Sequence, residues 1–372
     1  MKTIFICIDW FSPAYKGGGP IVSISNLVST FKEGVLYKII CSNYDLGDEP
    51  LQGIAYDTWV KYNDNTLVWY ASKNIKLIAL LKAEIKKTPN CLIYINGIYS
   101  FYYNLLPILL ISAKKIISPR GMLHPEAISK KKNKKLLYLK ILKLLRVGQN
   151  SDFHATTAEE AEYLKNNFGK NINIVTAGNF PKNILPQPRL QKKIGYLKLV
   201  SISLVSPMKN HLNVLFALEN ATEQIEYAIY GPIKDQAYWR LCLKIMKELP
   251  SNISVEYHSG IVADEVEKVL MQSHVFIQPS ESENFGHSIF EALSAGKPVI
   301  TSTRTPWNNL QEANAGINVS AKDIKGLTDS IHYFSMMDNA EYEKWATGAR
   351  QYSENAIDIG MLKRKYKELF SV

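Results

Sequence analysis

Two glutamates, Glu283 and Glu291, stand eight positions apart in the run HVFIQPSESENFGHSIFEALSAGKPVIT, residues 274–301. Between them lie Asn284 and the amides of Phe285, Gly286, His287 and Ser288, at the place where the apolar spacing of Ile289 and Leu293 starts a helix. The first N–H groups of a helix have no partner in their own ladder and sit at its positive end, so this start suits a phosphate. A carboxylate on the second turn, Glu291, is placed to accept from two vicinal hydroxyls, as in a ribose. One ahead of the helix, Glu283, would face whatever lies beyond the phosphates. Together they fit a nucleotide that carries a diphosphate and a second polyol. The plainer alternative is a capped helix with two surface acids.

The elements that must hold these residues follow from the same run. His274–Gln278 is β-rich and apolar, Pro279–Gly286 is turn chemistry, His287–Ala295 is the helix, Gly296 stops it, and Pro298 leads into the strand Val299–Ile300. Other candidates sit after strand ends, where open α/β sheets bind ligands. The strand Lys2–Asp9 runs into WFSPAYKGGGP, whose Gly18 and Gly19 let backbone approach a ligand, with Tyr15 and Lys16 nearby. This loop is neither a Walker A sequence nor the dinucleotide fingerprint. The loop SPRGMLHP brings Arg120, Gly121 and His124 to another strand end. There Arg120 is a candidate to hold a phosphate or an acidic acceptor, and His124 is either a proton acceptor or a structural loop histidine. In the second half, SPMKNHLNVLFAL feeds a helix with Lys209 at its start, and TSTRTPWNNL places Trp307 in a sugar pocket or in the core.

With PS before it, FG inside it and EALSAGKPVI after it, the Glu283–Ile300 run resembles the donor-site signature of retaining glycosyltransferases of family 4, the glycosyltransferase group 1 type with the GT-B fold. The resemblance covers nearly the whole chain and is specific in the second half. It implies an α/β fold of two Rossmann-like doubly wound domains facing a central cleft. Residues 1–180 would form an acceptor-binding domain and 181–195 a linker. Residues 196–354 would bind the nucleotide-sugar donor, and 355–372 would form a helix crossing back to the first domain. It also implies that Lys209 binds the donor diphosphate, that the glycine-rich loop faces the cleft, and that Gly260–Val262 lie beside the base.

Three positions depart from the family pattern. Leu204 stands where an arginine usually joins the lysine on the diphosphate, with Lys16 and Arg120 as candidate replacements. Arg120 occupies roughly the place of a common histidine, and Asn284 that of the glycine most common after the glutamate. The implied activity is transfer of a sugar from a nucleoside-diphosphate-sugar to a glycan or lipid-linked acceptor, with retention and without a covalent enzyme intermediate, in bacterial surface-polysaccharide assembly. Glu283 would hold hydroxyls of the transferred sugar. No metal and no cofactor are expected. A nucleotide-sugar epimerase of the same fold and a non-catalytic nucleotide-sugar-binding member are the rival readings, the latter kept open by Leu204.

At 372 residues the chain is long enough for two cores, and its 46% hydrophobic and 21% charged residues are ordinary for a globular protein. MKTIFICIDW reads as a first buried strand rather than a signal segment, and Leu105–Ile117 is too short and too interrupted to span a bilayer. Cys7, Cys41, Cys91 and Cys242 lack metal-ligand spacing and read as free thiols of a cytoplasmic protein. Of the net charge of +10, much sits in SKKKNKKLLYLKILKLLR, residues 129–146, which holds no acid. It reads either as an amphipathic helix on an anionic membrane, making the protein peripheral on the inner face, or as a solvated face. Nucleic acid is not expected as a partner, because binding motifs and interleaved aromatics are lacking.

Overall fold

The computed structural model describes residues 1–73, 76–129, 132–185, 190–262 and 265–372. They form two compact units, Met1–Phe180 with Asp358–Val372, and Pro181–Ile357. Lys131 of the basic run, and Pro186 and Pro188 of the expected linker, lie outside the described residues.

The first unit is built on eight strands: β1 (Lys2–Cys7), β2 (Val35–Ser42), β3 (Trp59–Asn63), β4 (Thr66–Ala71), β5 (Leu92–Asn96), β6 (Lys115–Ser118), β7 (Asp152–Ala155) and β8 (Ile174–Thr176). Their order is β3-β4-β2-β1-β5-β6-β7-β8, all parallel except β3 against β4. Strands such as TIFIC and LIYIN are apolar at successive positions, as a sheet covered on both faces requires. The helices are α1 (Gly19–Thr30), α2 (Leu77–Lys86), α3 (Leu106–Leu110), α4 (Pro125–Ser129), α5 (Lys132–Leu144) and α6 (Ala158–Phe168). Thr157 caps α6 by accepting from the Glu160 amide. The Glu160 carboxylate turns instead to the Thr156 amide and to Gly121.

The second unit is a six-stranded, all-parallel sheet with order β11-β10-β9-β12-β13-β14. Its strands are β9 (Tyr196–Ile202), β10 (Gln224–Tyr230), β11 (Ile253–His258), β12 (Val275–Gln278), β13 (Val299–Ser302) and β14 (Gly316–Val319). Its helices are α7 (His211–Leu218), α8 (Gln236–Glu248), α9 (Val266–Met271), α10 (His287–Ser294), α11 (Ile324–Ser335) and α12 (Asn339–Ala356). The chain moves outward from β9 to β10 and β11, then returns to the other side of β9 as β12. The loops leaving β9 and β12 therefore diverge from adjacent strand ends, the crevice where such sheets take ligands. One of these loops carries Lys209 and the other Glu283.

The last helix, α13 (Ile359–Phe370), belongs to the first unit. Its Tyr366 and Phe370 are buried among Phe31, Tyr94 and Phe180, with ring centroids 4.8 to 6.1 Å apart. The Tyr366 hydroxyl donates to the Gly178 carbonyl at 3.1 Å, so the polar tip of this buried ring is satisfied.

Candidate functional site

The second unit assembles the centre of the site from three loops. After β9, Pro207–Lys209 makes one 3-10 turn, and Asn210, in the left-handed region at φ 62°, redirects the chain into α7. Lys209 therefore ends a tight turn rather than opening the helix, as its sequence suggests. The Asn210 amide donates to the carbonyls of Pro279 and Ala321, and the Glu281 amide donates to Met208 O at 2.8 Å. These bonds stitch the lysine turn to the loop after β12. From the other side, Thr301 and Ser302, at the end of β13, donate their hydroxyls to Gln278 O and Ser280 O.

Held this way, Lys209 Nζ forms an ion pair with Glu283 Oε1. The same oxygen accepts from Gln278 Nε2 at 2.9 Å and Ser280 Oγ at 2.8 Å. All three donors act on Oε1, and Oε2 takes none of these bonds. The carboxylate is thus fixed in direction by its environment, with one oxygen left over for a ligand. Gln278 was not singled out in the sequence, yet it organises the loop: it donates to Glu283 and to Ser280 and accepts from Ser288 Oγ at 3.3 Å. Its signal was there, a polar residue ending an otherwise apolar strand just before Pro279.

Gly286 begins α10 with φ 73°, a conformation that favours glycine. A Cβ there would also lie 3.3 Å from Trp307 Nε1, which donates to Phe285 O at 2.6 Å. Trp307 is buried, packed edge-on to Phe285 at 5.2 Å, and so supports the loop from the core side instead of lining a sugar pocket. The first bond of the helix joins Phe290 N to Gly286 O at 3.1 Å, which leaves the amides of His287, Ser288 and Ile289 ahead of the ladder. The His287 ring packs against Phe285 at 4.5 Å, and Asn284 stays in the same loop.

Glu291 is 8% exposed, and among the described residues no hydrogen bond reaches its carboxyl group. Burial pushes its pKa up to about 7, opposed by the charge of Lys182. A mostly buried carboxyl with no hydrogen-bond donor among the described residues is suited to accept from a ligand. Leu204, where a second cation was expected, is half-buried. Within the unit, Arg304 reaches the same loop through Glu281, at 3.2 Å.

The candidates of the first unit fare differently. Gly18 has φ 70° and starts α1, Gly19 has open space at its Cβ position, and Asp45 pins the loop by accepting from the amides of Tyr15 and Lys16. Lys16 is paired with Glu49. The expectation that Arg120 serves a phosphate or an acidic acceptor needs correction. Arg120 is 8% exposed, and its guanidinium donates to Asn96 Oδ1 at 2.8 Å, to Tyr94 Oη at 2.7 Å and to Asn179 Oδ1. Tyr94 also bonds His154 Nδ1 at 2.6 Å, and burial, with Arg120 beside it, pushes that histidine down to about 3. Arg120 is therefore the hub of a closed internal network. His124 is half-buried, accepts the Glu126 amide at 3.3 Å and meets Tyr163 edge-on at 5.6 Å. Gly260 and Ile261 follow β11 half-buried, with Val262 exposed.

Residues 187–352 match the family described as glycosyl transferases group 1. The group 1 resemblance read from the Glu283–Ile300 run is thereby shown for this segment. No curated protein matches the chain. Among solved structures, sucrose-phosphate synthase from Thermosynechococcus elongatus is 15% identical with a TM-score of 0.74, covering 100% of this chain and 98% of that one. HepE from Anabaena, in complex with UDP-glucose, is 14% identical with a TM-score of 0.72 and full coverage of both chains. WaaG, a glycosyltransferase involved in lipopolysaccharide biosynthesis, is 15% identical with a TM-score of 0.66, covering 99% of each. At these identities the likeness establishes the fold, which is of the GT-B type.

Proposed function

We propose that this chain, whose residues 187–352 carry the glycosyl transferases group 1 match, transfers a sugar from a nucleoside-diphosphate-sugar to a glycan or lipid-linked acceptor with retention. One observation carries the reading: Lys209 and Glu283 meet beside the first turn of α10, one helical turn from the buried Glu291, whose carboxyl takes no hydrogen bond among the described residues. The amides of His287 and Ser288 and the Lys209 ammonium would hold the diphosphate. The two hydroxyls of a ribose would give Glu291 the donors it lacks, and Glu283 Oε2 would accept from the transferred sugar.

In the reaction the bond from the anomeric carbon to the diphosphate breaks and negative charge grows on the leaving oxygens. Donors fixed beforehand around those oxygens stabilise that charge more than they stabilise the bound donor, and this difference is what lowers the barrier. Glu283 would be held back from attack on the sugar by its three donors on Oε1, which suits a binding role and a retaining route without a covalent enzyme intermediate. Neither metal nor cofactor enters this reading. Unit 1 would receive the acceptor, and bacterial surface-polysaccharide assembly on the cytoplasmic side is the setting that the family 4 resemblance favours.

The UDP-glucose complex of HepE makes that donor the first to try. A thermal-shift series with UDP-, GDP- and ADP-sugars identifies the base, because a ligand bound only by the folded state raises the melting temperature. Labelled donor is then incubated with lipid extract or oligosaccharide. Transfer of label supports the proposal. Isomerised donor without acceptor would indicate an epimerase. Binding without turnover would indicate a non-catalytic member, the reading that Leu204 keeps open.

A further inference from the structure

The first unit carries an exposed apolar surface set in a strongly basic field, on α5 and on the segment it packs against. Helix α5 buries Leu139 and Leu142, with Tyr138 donating its hydroxyl to Ile98 O at 2.6 Å and its ring tilted against Tyr99 at 5.6 Å. Buried residues at this spacing account for one side of the helix. Leu137, Ile141 and Leu144, at i, i+4 and i+7, form a second apolar row roughly opposite, and they are 61%, 46% and 82% exposed. Lys134 borders this row on one side, with Lys140 and Lys143 on the other, all exposed. Just beyond Tyr99, Phe101 and Tyr102 pack edge-on at 5.2 Å and stand exposed as an aromatic pair.

The charge around this surface has one sign. Between Ile85 and Ser151 the only acid is Glu126. The acids of α6, which packs on α5, are engaged elsewhere: Glu159 accepts from Tyr163, Glu160 is buried, and Glu162 pairs with Lys165. A hydrophobic protein partner would need no such field, and a nucleic acid would have no use for a leucine row. An exposed leucine row flanked by lysines, with an exposed aromatic pair on the neighbouring segment, fits the boundary between lipid headgroups and acyl chains.

We propose that the exposed face of α5, with Phe101 and Tyr102, docks this protein on an anionic lipid bilayer. The apolar row enters the boundary region and the lysines stay among the headgroups, each adding electrostatic attraction that salt weakens. This reading is independent of the transfer reaction, since no donor-site residue takes part.

The full chain is sedimented with phosphatidylcholine vesicles, pure or with part of the lipid replaced by phosphatidylglycerol, in low and high salt. Binding is expected to the anionic vesicles, weakening with salt. The triple variant Lys134→Gln/Lys140→Gln/Lys143→Gln should lose affinity on the order of a hundredfold. Leu137→Ser/Ile141→Ser/Leu144→Ser should lose at least as much while melting at the wild-type temperature, because these side chains are exposed. Equal binding to both vesicle types, or unchanged binding of both variants, would overturn the proposal. So would a concentration-dependent dimer in sedimentation velocity that the leucine variant abolishes, since a second copy would then cover the row.

Discussion

Each unit holds a cation among polar groups at strand ends, and the two are finished to different degrees. Around Arg120 every guanidinium nitrogen has a partner, the partners Tyr94 and Asn96 are buried, and the neighbouring His154 is held neutral. Around Lys209 the bonds converge on a single oxygen of Glu283, and among the described residues no hydrogen bond reaches the buried Glu291 carboxyl. Native proteins satisfy most of their buried polar groups, so the centre with spare acceptors is the candidate for a ligand.

This contrast separates stability from activity, and substitutions can break it. The largest effect on folding is expected for Arg120→Met, which removes the donors that Asn96, Asn179 and Tyr94 accept from together. Chemical denaturation should show a loss of at least about 3 kcal/mol. Its counterpart Lys209→Met should leave the denaturation midpoint near wild type but lower the turnover number by about 10² to 10³ in steady-state assays, as loss of one preorganised donor does. A Lys209 variant that unfolded while Arg120→Met stayed stable but inactive would invert the comparison.

Glu291 sharpens it through pH. Its folded pKa, about 7, lies above the ordinary value of 4.5, so between roughly pH 4.5 and pH 7 the folded state holds a proton that the unfolded chain has released. Stability contributed by this group is therefore full below the unfolded value and falls as pH rises through the folded one, by up to about 3 kcal/mol. Buried His154 and His211, both pushed down to about 3, slope the other way. The difference between wild type and Glu291→Gln isolates the glutamate. The variant should gain stability on wild type from pH 5 to pH 8, and bind donor more weakly at pH 8. A pH-independent difference would remove Glu291 from the account. The smallest effect is expected for Leu204→Arg, which adds a second cation near the diphosphate and should raise donor affinity severalfold in calorimetric titration.

Much of this was legible in the sequence wherever local chemistry and spacing decide the outcome. The β12–α10 unit could be read because an apolar strand, a turn run, Gly286 and the Ile289–Leu293 spacing all point the same way. The pairing of Lys209 with Glu283, 74 positions apart, needed the sheet order, since only the reversal at β9 makes their loops neighbours. Arg120 misled because a loop arginine after a strand reads as exposed. Its burial depends on Asn179 and Tyr94, which no local pattern connects to it. Trp307 allowed two readings until the Phe285 carbonyl settled which way the indole points. The hairpin strand β3 and the long polar helix α12 were not read at all. The first mixes Lys61 with aromatics at a sheet edge, and the second, NAEYEKWATGARQYSENA, has few apolar residues to mark its face.

The most direct test is a crystal structure of the chain with a nucleoside-diphosphate-sugar that supports transfer or raises the melting temperature. The diphosphate should lie against the amides of His287 and Ser288 with Lys209 Nζ in hydrogen-bonding reach, and the ribose hydroxyls should meet Glu291. A donor seated away from α10, or one that leaves Glu291 still buried and without a partner, would contradict the assignment.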